Sequence, residues 1–329
     1  MNKNEFLSFH ISKIKCIKFD TNSNRLATCG DDGKIDIYST SNLSKPLTTI
    51  LRNGHFNKLN DLSWTKFQNK TYLSSCGEDE NKIIIFIEKK ENLFKNIYEY
   101  KKHNFPVTKC EFCPFHYGLI LLCGDEKGTI SLHQFKTDIN NFVSHIFQTG
   151  HSSINSLSWG PALKPINFNY NNIIIDNDDN LERLNSYQFC SCGNEGSVKI
   201  WKSLNSDIYN FVFEDIYNQN NYNINNNEIN NNENNNNENN IYSVKWLNYD
   251  GYCDNVIVFG GENKKLMFYK YDEENEEKKW EKVFEIKMED IISSIEMSMK
   301  GGYLIVTLLN NKVVILEENL GFEWIIKNK

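Results

Sequence analysis

The sequence predicts an all-β chain built from repeated four-stranded units. The clearest unit spans residues 150–202, where a Gly-His pair is followed by two runs of alternating apolar residues that flank a Gly-rich turn at 193–196. Alternation predicts half-buried strands, and such a turn between two of them predicts a hairpin. Earlier copies carry a cysteine at the same point, and Cys29, Cys76 and Cys123 are spaced 47 residues apart. A fixed spacing of this size indicates an internal repeat.

Six copies of the unit can be counted along the chain. A Gly-His pair followed by strands about every 40 to 50 residues is typical of WD repeats, each of which supplies one blade of a β-propeller. Because a propeller of this length folds as one unit, the sequence predicts a single domain over residues 1–329, a six-bladed WD-repeat β-propeller. The predicted blades span residues 10–52, 55–100, 103–148, 151–217, 241–284 and 288–329.

Each blade is predicted from its own apolar runs. In chain order these runs are 14–19, 26–38 and 47–51; 62–64, 73–76 and 83–87; 107–112 and 121–132; 154–159 and 189–202; 241–246 and 256–269; and 291–297 and 304–316. Two Asn-rich insertions, 166–186 and 218–240, interrupt the spacing. The second has almost nothing apolar to bury, so it is predicted to be disordered.

Charge and hydropathy limit the classes of partner. The formal net charge is −7 and the isoelectric point is near 5.6. Because nucleic-acid-binding proteins usually present a concentrated basic face, we expect no direct nucleic-acid partner. No N-terminal stretch resembles a signal peptide, and the apolar runs are too short to span a bilayer. We therefore expect membrane association only through other proteins.

The Gly-His histidines are predicted to be structural. In a WD repeat this histidine, a strand hydroxyl, a turn aspartate and a strand aromatic form a buried hydrogen-bonded set. The remaining histidines have no partner at a catalytic spacing, so we expect no catalytic residue, no cofactor and no enzymatic activity. The residues assigned to this structural role are His10, Asp32, His55, Trp64, His103, His151, Trp159 and Trp201.

The cysteines are predicted to be reduced and structural. Cys29, Cys76, Cys123 and Cys192 take one repeat position just before a glycine, where a small buried side chain packs between blades. The Cys-x-x-Cys pair at 110–113 lies in a strand-like run, which points its two thiols to opposite faces. Zinc needs four converging ligands, so we expect no metal site.

Several stretches carry a resemblance to a known family. They are residues 25–29, 107–112, 116–122, 155–162, 197–202 and 311–324, which together span nearly the whole chain. On these motifs the chain resembles the small propeller subunit of the COPII outer coat, which in that family also serves the outer ring, or Y-complex, of the nuclear pore. The Asn-rich insertions and Leu308-Leu309, in place of small residues before the last turn, depart from the family pattern.

The resemblance implies a scaffold in ER-to-Golgi protein transport. In that family the six-bladed ring is open, and an α-solenoid coat protein or nuclear pore nucleoporin inserts strands that complete a further blade. The chain would then lie on the cytoplasmic face of the ER or COPII vesicle, and possible sites include the pore. The ends of an open ring are its first and last blades, so the candidate partner edge comprises Ile14, Ile17, Lys18, Phe19, Val313 and Ile315.

Two alternatives remain open from the sequence. One is the sister nucleoporin propeller of the same pore ring. The other is a generic WD-repeat adaptor such as a ubiquitin-ligase substrate receptor, although the loops here are rich in Asn, Asp and Ser where such receptors usually carry Arg and aromatic residues.

Overall fold

The computed structural model describes residues 10–50, 57–114, 117–160, 187–204, 207–218, 240–247, 255–272, 280–298, 302–319 and 324–327. Within these ranges the chain forms strands, apart from loops, turns and one 3-10 turn at Asp79–Asn81. The strands make six four-stranded antiparallel sheets, each from four consecutive strands. The predicted all-β, six-bladed propeller fold is therefore confirmed. The first insertion and residues 219–239 of the second lie outside the described residues, as does His55.

The chain divides into two compact units, and the first, Met1–Gly150, holds three blades. The first blade contains β1 (Ile14–Phe19), β2 (Arg25–Gly30), β3 (Ile35–Ser39) and β4 (Thr48–Ile50). The second contains β5 (Leu59–Phe67), β6 (Lys70–Gly77), β7 (Ile83–Lys90) and β8 (Leu93–Tyr100). The third contains β9 (Val107–Phe112), β10 (Ile120–Asp125), β11 (Thr129–Lys136) and β12 (Asn141–Gln148).

The second unit, His151–Lys329, holds the other three blades. The fourth blade contains β13 (Ser156–Trp159), β14 (Gln188–Cys192), β15 (Ser197–Leu204) and β16 (Asp207–Asn218). The fifth contains β17 (Ile241–Leu247), β18 (Val256–Gly261), β19 (Lys265–Tyr271) and β20 (Trp280–Lys287). The sixth contains β21 (Ile292–Met297), β22 (Tyr303–Leu308), β23 (Val313–Glu318) and β24 (Trp324–Ile326).

The repeated glycine after the second strand has a conformational reason. Gly33, Gly128 and Gly196 have φ angles of 70°, 75° and 76°, a left-handed conformation that side chains with a Cβ rarely adopt. A Cβ on Gly33 would also lie 2.8 Å from the carbonyl oxygen of Asn57. Each glycine thus closes the tight turn into the third strand of its blade.

The core lies between neighbouring blades of each unit. The four cysteines of the shared repeat position are fully buried, as predicted, and belong to these inter-blade clusters. Burial raises the pKa of the Cys123 thiol well above its usual value, which keeps it protonated. All the cysteines of the described residues are free thiols, and they serve as small apolar side chains.

Polar side chains of the first strands tie successive blades together. Asp61 and Ser63 of β5 accept hydrogen bonds from the backbone amides of Cys110 and Phe112 of β9, at 3.1 and 2.9 Å. Because these groups are buried, each bond satisfies an amide that would otherwise lose its partner on leaving water.

Candidate functional site

The hydrogen-bonded set predicted for the first four blades has a histidine, a hydroxyl, a carboxylate and an aromatic side chain in the fourth. The indole N–H of Trp201 donates to the hydroxyl of Ser191 at 2.9 Å, and that oxygen lies 2.8 Å from Nε2 of His151. The hydroxyl can therefore donate to Nε2, which leaves the Nδ1 proton to be donated to Glu195. A glutamate thus takes the place of the predicted turn aspartate.

The same carboxylate is held in its charged form. Burial by itself would raise the pKa of Glu195, but hydrogen bonds from His151, Ser197 and the backbone amide of Ser152 outweigh that effect. The result is a pKa of about 2. Through these bonds the charged carboxylate of Glu195 holds the turn between β14 and β15 against the segment that precedes β13.

The first blade has a tyrosine at the aromatic position, and the hydroxyl of this Tyr38 donates to Asp36 at 3.5 Å. His10 places Nδ1 2.8 Å from Asp32 and Nε2 2.9 Å from the hydroxyl of Thr28, both as predicted for a structural set. Tyr38 stands five residues after the turn glycine, as Trp201 does in the fourth blade, and is fully buried.

The third blade uses a second histidine instead, which the sequence reasoning missed. His103 bonds Asp125 at 2.9 Å and Ser131 at 2.7 Å. Ser131 in turn lies 2.9 Å from His133, which stands five residues after Gly128 and so takes the aromatic position. Burial, together with the nearby His103, lowers the pKa of His133 to about 3.

The acid, histidine and hydroxyl of the third blade have the residue types of a catalytic triad, but they lack access. Asp125 and Ser131 are wholly buried and His103 is 3% exposed. A nucleophile must meet its substrate at hydrogen-bonding range, so this arrangement can stabilise the blade but cannot reach a substrate in this conformation.

The other two predicted tryptophans lie outside these sets. The indole N–H of Trp64 donates to the carbonyl oxygen of Lys18 at 3.2 Å. Trp159 packs edge-on against Phe189, with ring centroids 5.8 Å apart. Both side chains are buried and contribute to packing rather than to a histidine set.

Among the described residues, one face of the sixth blade is largely apolar and exposed, with the Glu317–Lys327 ion pair at its edge. On β22 and β23, Val306 and Leu316 are buried in the core shared with the fifth blade. The alternate residues point to the opposite face, where Ile305 pairs with Ile315 and Thr307 with Val313. The exposed apolar side chains of this face, called here the blade 6 face, are Tyr303, Ile305, Val313, Ile315 and Ile325.

The first blade also exposes apolar side chains. Ile17 and Phe19 are 50% and 57% exposed and share the alternate face of β1 with Lys15. Lys18 faces the other way, on the side of buried Cys16. The hydrogen bond with Cys29 and burial raise the pKa of the Cys16 thiol well above its usual value, and the charge of Lys18 opposes that rise only in part. Ile14 is half-buried at an irregular point of the register. The exposed blade 1 face therefore consists of Lys15, Ile17 and Phe19.

Comparison with known proteins agrees with the repeat and the fold. The WD40 family, described as WD domain, G-beta repeat, matches residues 3–39. The Drosophila melanogaster protein SEC13 homolog is 24% identical over 91% of this chain and 76% of its own length. Protein transport protein SEC13-2 of Candida glabrata is 26% identical over 91% of both chains. The chain is a Sec13-like WD-repeat propeller.

A solved structure supports the fold independently. The crystal structure of RRP9 WD40 repeats matches with a TM-score of 0.64 at 14% identity, over 98% of the Sec13-like chain and 82% of the other. Within the described part of the Sec13-like propeller, no cluster of three or more His, Cys, Asp or Glu side chains is arranged to hold a metal ion. None of its described helices has the length and apolar character needed to cross a membrane.

Proposed function

We propose that this chain is a structural scaffold subunit of a COPII-type vesicle coat in ER-to-Golgi protein transport. The relatives from Candida glabrata and Aspergillus fumigatus are named protein transport proteins, and each is matched over at least 90% of its length. The chain would act on the cytoplasmic face of the ER and reach the membrane only through the coat. A scaffold needs docking surfaces rather than an accessible catalytic centre, and the buried histidine sets are consistent with that.

The observation that carries the proposal is the exposed blade 6 face of the described residues. A large apolar side chain contributes roughly 1.5–3 kcal/mol when it moves from water into a packed interface. Contiguous apolar surface of this kind usually marks a protein interface. β22 and β23 carry apolar residues on both faces, a pattern typical of strands that are covered on both faces. Among the described residues, one of these faces packs in the core shared with the fifth blade and the other is exposed.

The proposed occupant is a set of strands from an α-solenoid coat protein. Such strands would pack on the blade 6 face, with main-chain pairing for affinity and side-chain pockets for specificity. The blade 1 face is proposed as a second contact surface for the same protein. The role at the outer ring of the nuclear pore belongs to the same proposal, because one docking face can serve two solenoid partners.

Affinity purification of the tagged chain from its own cells tests the proposal. We expect coat subunits, nuclear pore scaffold subunits or both to be recovered in amounts comparable to the tagged chain. Recovery of pore subunits alone would assign the chain to the pore as a nucleoporin propeller. Recovery of ubiquitin-ligase subunits instead would overturn the scaffold role in favour of an adaptor.

A matched pair of variants tests whether recovery of the solenoid partner depends on the blade 6 face. Val313 on the blade 6 face and Val283 on β20 are 59% and 56% exposed, so Asp is tolerated by folding at either position. Val313→Asp should abolish recovery of the solenoid partner, and Val283→Asp should leave it unchanged. Equal recovery with both variants would place the interface elsewhere.

A further inference from the structure

A polar cleft lies between the first and second blades, on residues that the proposed coat function does not use. Its volume is about 710 Å³, within the range of sites that hold a ligand. The turn after β1, the turn between β5 and β6 and the turn between β7 and β8 line it. Both blades belong to the first compact unit.

The floor of the cleft is a buried ionic group that is satisfied internally. Arg25 donates to both carboxylate oxygens of Glu88, at 2.6 and 3.1 Å, and through Nε to Asp20 at 3.0 Å. Its guanidinium lies 5.4 Å from the ring centroid of Trp64 and 6.0 Å from that of Phe94. Bidentate pairing and ring stacking of this kind hold an arginine in one place.

The carboxylates of the floor are therefore not available to a ligand. Burial alone would raise the pKa of Glu88, but hydrogen bonds from Arg25 and the backbone amide of Asn92 outweigh it and the pKa lies below its usual value. Asp20 is 2% exposed and accepts from the backbone amides of Asn24 and Arg25 as well as from the guanidinium. Both carboxylates are held in place by these bonds, and one guanidinium against two carboxylates leaves the floor with a formal net charge of −1.

The rim carries uncompensated positive charge. Lys70, Lys89 and Lys90 line the cleft, are exposed, and form no ion pair among the described residues. Against them stands one exposed carboxylate, Glu91. Counted together with the floor, the four cationic and three acidic side chains of the cleft give a formal net charge of +1. The chain as a whole has a formal net charge of −7, so the cleft has the opposite sign and favours an anionic partner.

Two further groups suit an extended peptide. Asn24 and Asn69 line the cleft, and a side-chain amide can both donate to and accept from a peptide backbone. Leu47 lies at the cleft and is 48% exposed, so it offers an apolar contact beside the charges.

We propose that the cleft between the first and second blades binds an acidic peptide segment of a partner protein. The lysines of the rim would pair with its Asp or Glu side chains, and Leu47 would receive one apolar side chain. A concave cleft fits an extended chain better than a flat bilayer surface. Three lysines are also fewer than the phosphate contacts on which nucleic-acid affinity usually rests.

Fluorescence anisotropy of a labelled acidic peptide tests this on the purified full chain, kept in complex with its partner where solubility requires it. The probe is a short peptide of Asp and Glu with one central Leu, and its matched control has Asn and Gln in place of the acids. We expect saturable binding of the acidic peptide only, weakened by added salt. The test does not depend on the coat assignment, because it measures peptide binding to the cleft itself.

Charge-reversal variants distinguish binding in the cleft from nonspecific attraction of the acidic peptide to surface lysines. The variant Lys70→Glu/Lys89→Glu/Lys90→Glu should weaken binding by at least about tenfold, because each reversal replaces an attraction to the acidic peptide with a repulsion. The control Lys13→Glu/Lys102→Glu/Lys287→Glu changes exposed lysines elsewhere by the same total charge and should leave the affinity within about twofold. No binding of the acidic peptide, or an equal loss in both variants, would overturn the proposal. Binding of a phosphorylated peptide without any binding of the acidic one would also overturn it.

Discussion

The hydroxyl of Ser243 on β17 accepts a hydrogen bond from the backbone amide of Ile295 on β21, at 3.0 Å. Ser158 on β13 does the same for the amide of Trp246 on β17, at 3.1 Å. In each unit, a small polar side chain of one blade's first strand thus bonds the first strand of the following blade. The repeat ties neighbouring blades through directional bonds as well as through their apolar faces.

Ser243→Ala should lower the free energy of unfolding by about 1–3 kcal/mol, because it leaves the buried amide of Ile295 without an acceptor. Ser293→Ala, at an exposed position of β21, is the matched control and should change it by less than about 0.5 kcal/mol. Chemical denaturation of both variants measures the difference. Equal effects would mean that the inter-blade bond contributes nothing beyond a surface serine.

The fourth blade should lose stability in strong acid through Glu195. Its pKa is about 2 in the folded chain against an ordinary 4.5, so below pH 4.5 the unfolded state takes up the proton first. Its contribution is therefore complete above pH 4.5 and is lost as the pH falls toward about 2. Glu195→Gln should flatten the pH dependence of the unfolding free energy in this window, whereas Glu281→Gln at an exposed site should not.

The third blade should respond to acid at higher pH through His133. A histidine with a folded pKa of about 3 against an ordinary 6.5 binds its proton in the unfolded state first. Stability should therefore fall as the pH drops from 6.5 toward 3. His133→Gln should remove that slope, and His145→Gln, on the outer strand β12, should retain it. An unchanged slope in His133→Gln would show that another group titrates there.

The repeat could be predicted because its signals are local, while several features of the candidate site depend on distant contacts. Cys29, Cys76 and Cys123 mark the blades by spacing alone. The bond from Ile295 to Ser243 joins residues 52 positions apart, and no local pattern indicates it. His133 could have been found by counting five residues from Gly128, as for Trp201 from Gly196. The side that Lys18 faces could have been read from the period of two between it and Cys16.

The Asn-Glu tract should be dispensable for folding. Deleting residues 220–239, which lie outside the described residues, and rejoining the ends with a short linker should change the free energy of unfolding by no more than about 1 kcal/mol, because loop-closure entropy grows slowly with length. Thermal and chemical denaturation measure this. A loss of partner binding on the same deletion would show that the tract takes part in docking.

The isolated chain should self-associate, and its solenoid partner should keep it soluble. The blade 6 face leaves five large apolar side chains in water, which favours association between copies. Sedimentation of the chain expressed alone and with its partner measures the effect. A stable monomer at high concentration without the partner would contradict it.

The blade 1 face should take part in docking through Phe19. The sequence alone suggests that Asp at this position or at Ile315 would unfold its blade, and that Lys18→Glu is the cleaner probe. In the structure Phe19 is 57% exposed and Lys18 lies on the opposite face of β1, so Phe19→Asp is the better probe of this face. Phe19→Asp should therefore leave the melting temperature of the chain unchanged. It should weaken binding of the solenoid partner by at least about tenfold, because the interface loses roughly 1.4 kcal/mol of buried apolar contact. Leu93→Asp, 58% exposed on the outer strand β8, is the matched control and should leave affinity unchanged. Equal affinity for both variants would remove the first blade from the interface and leave the blade 6 face alone.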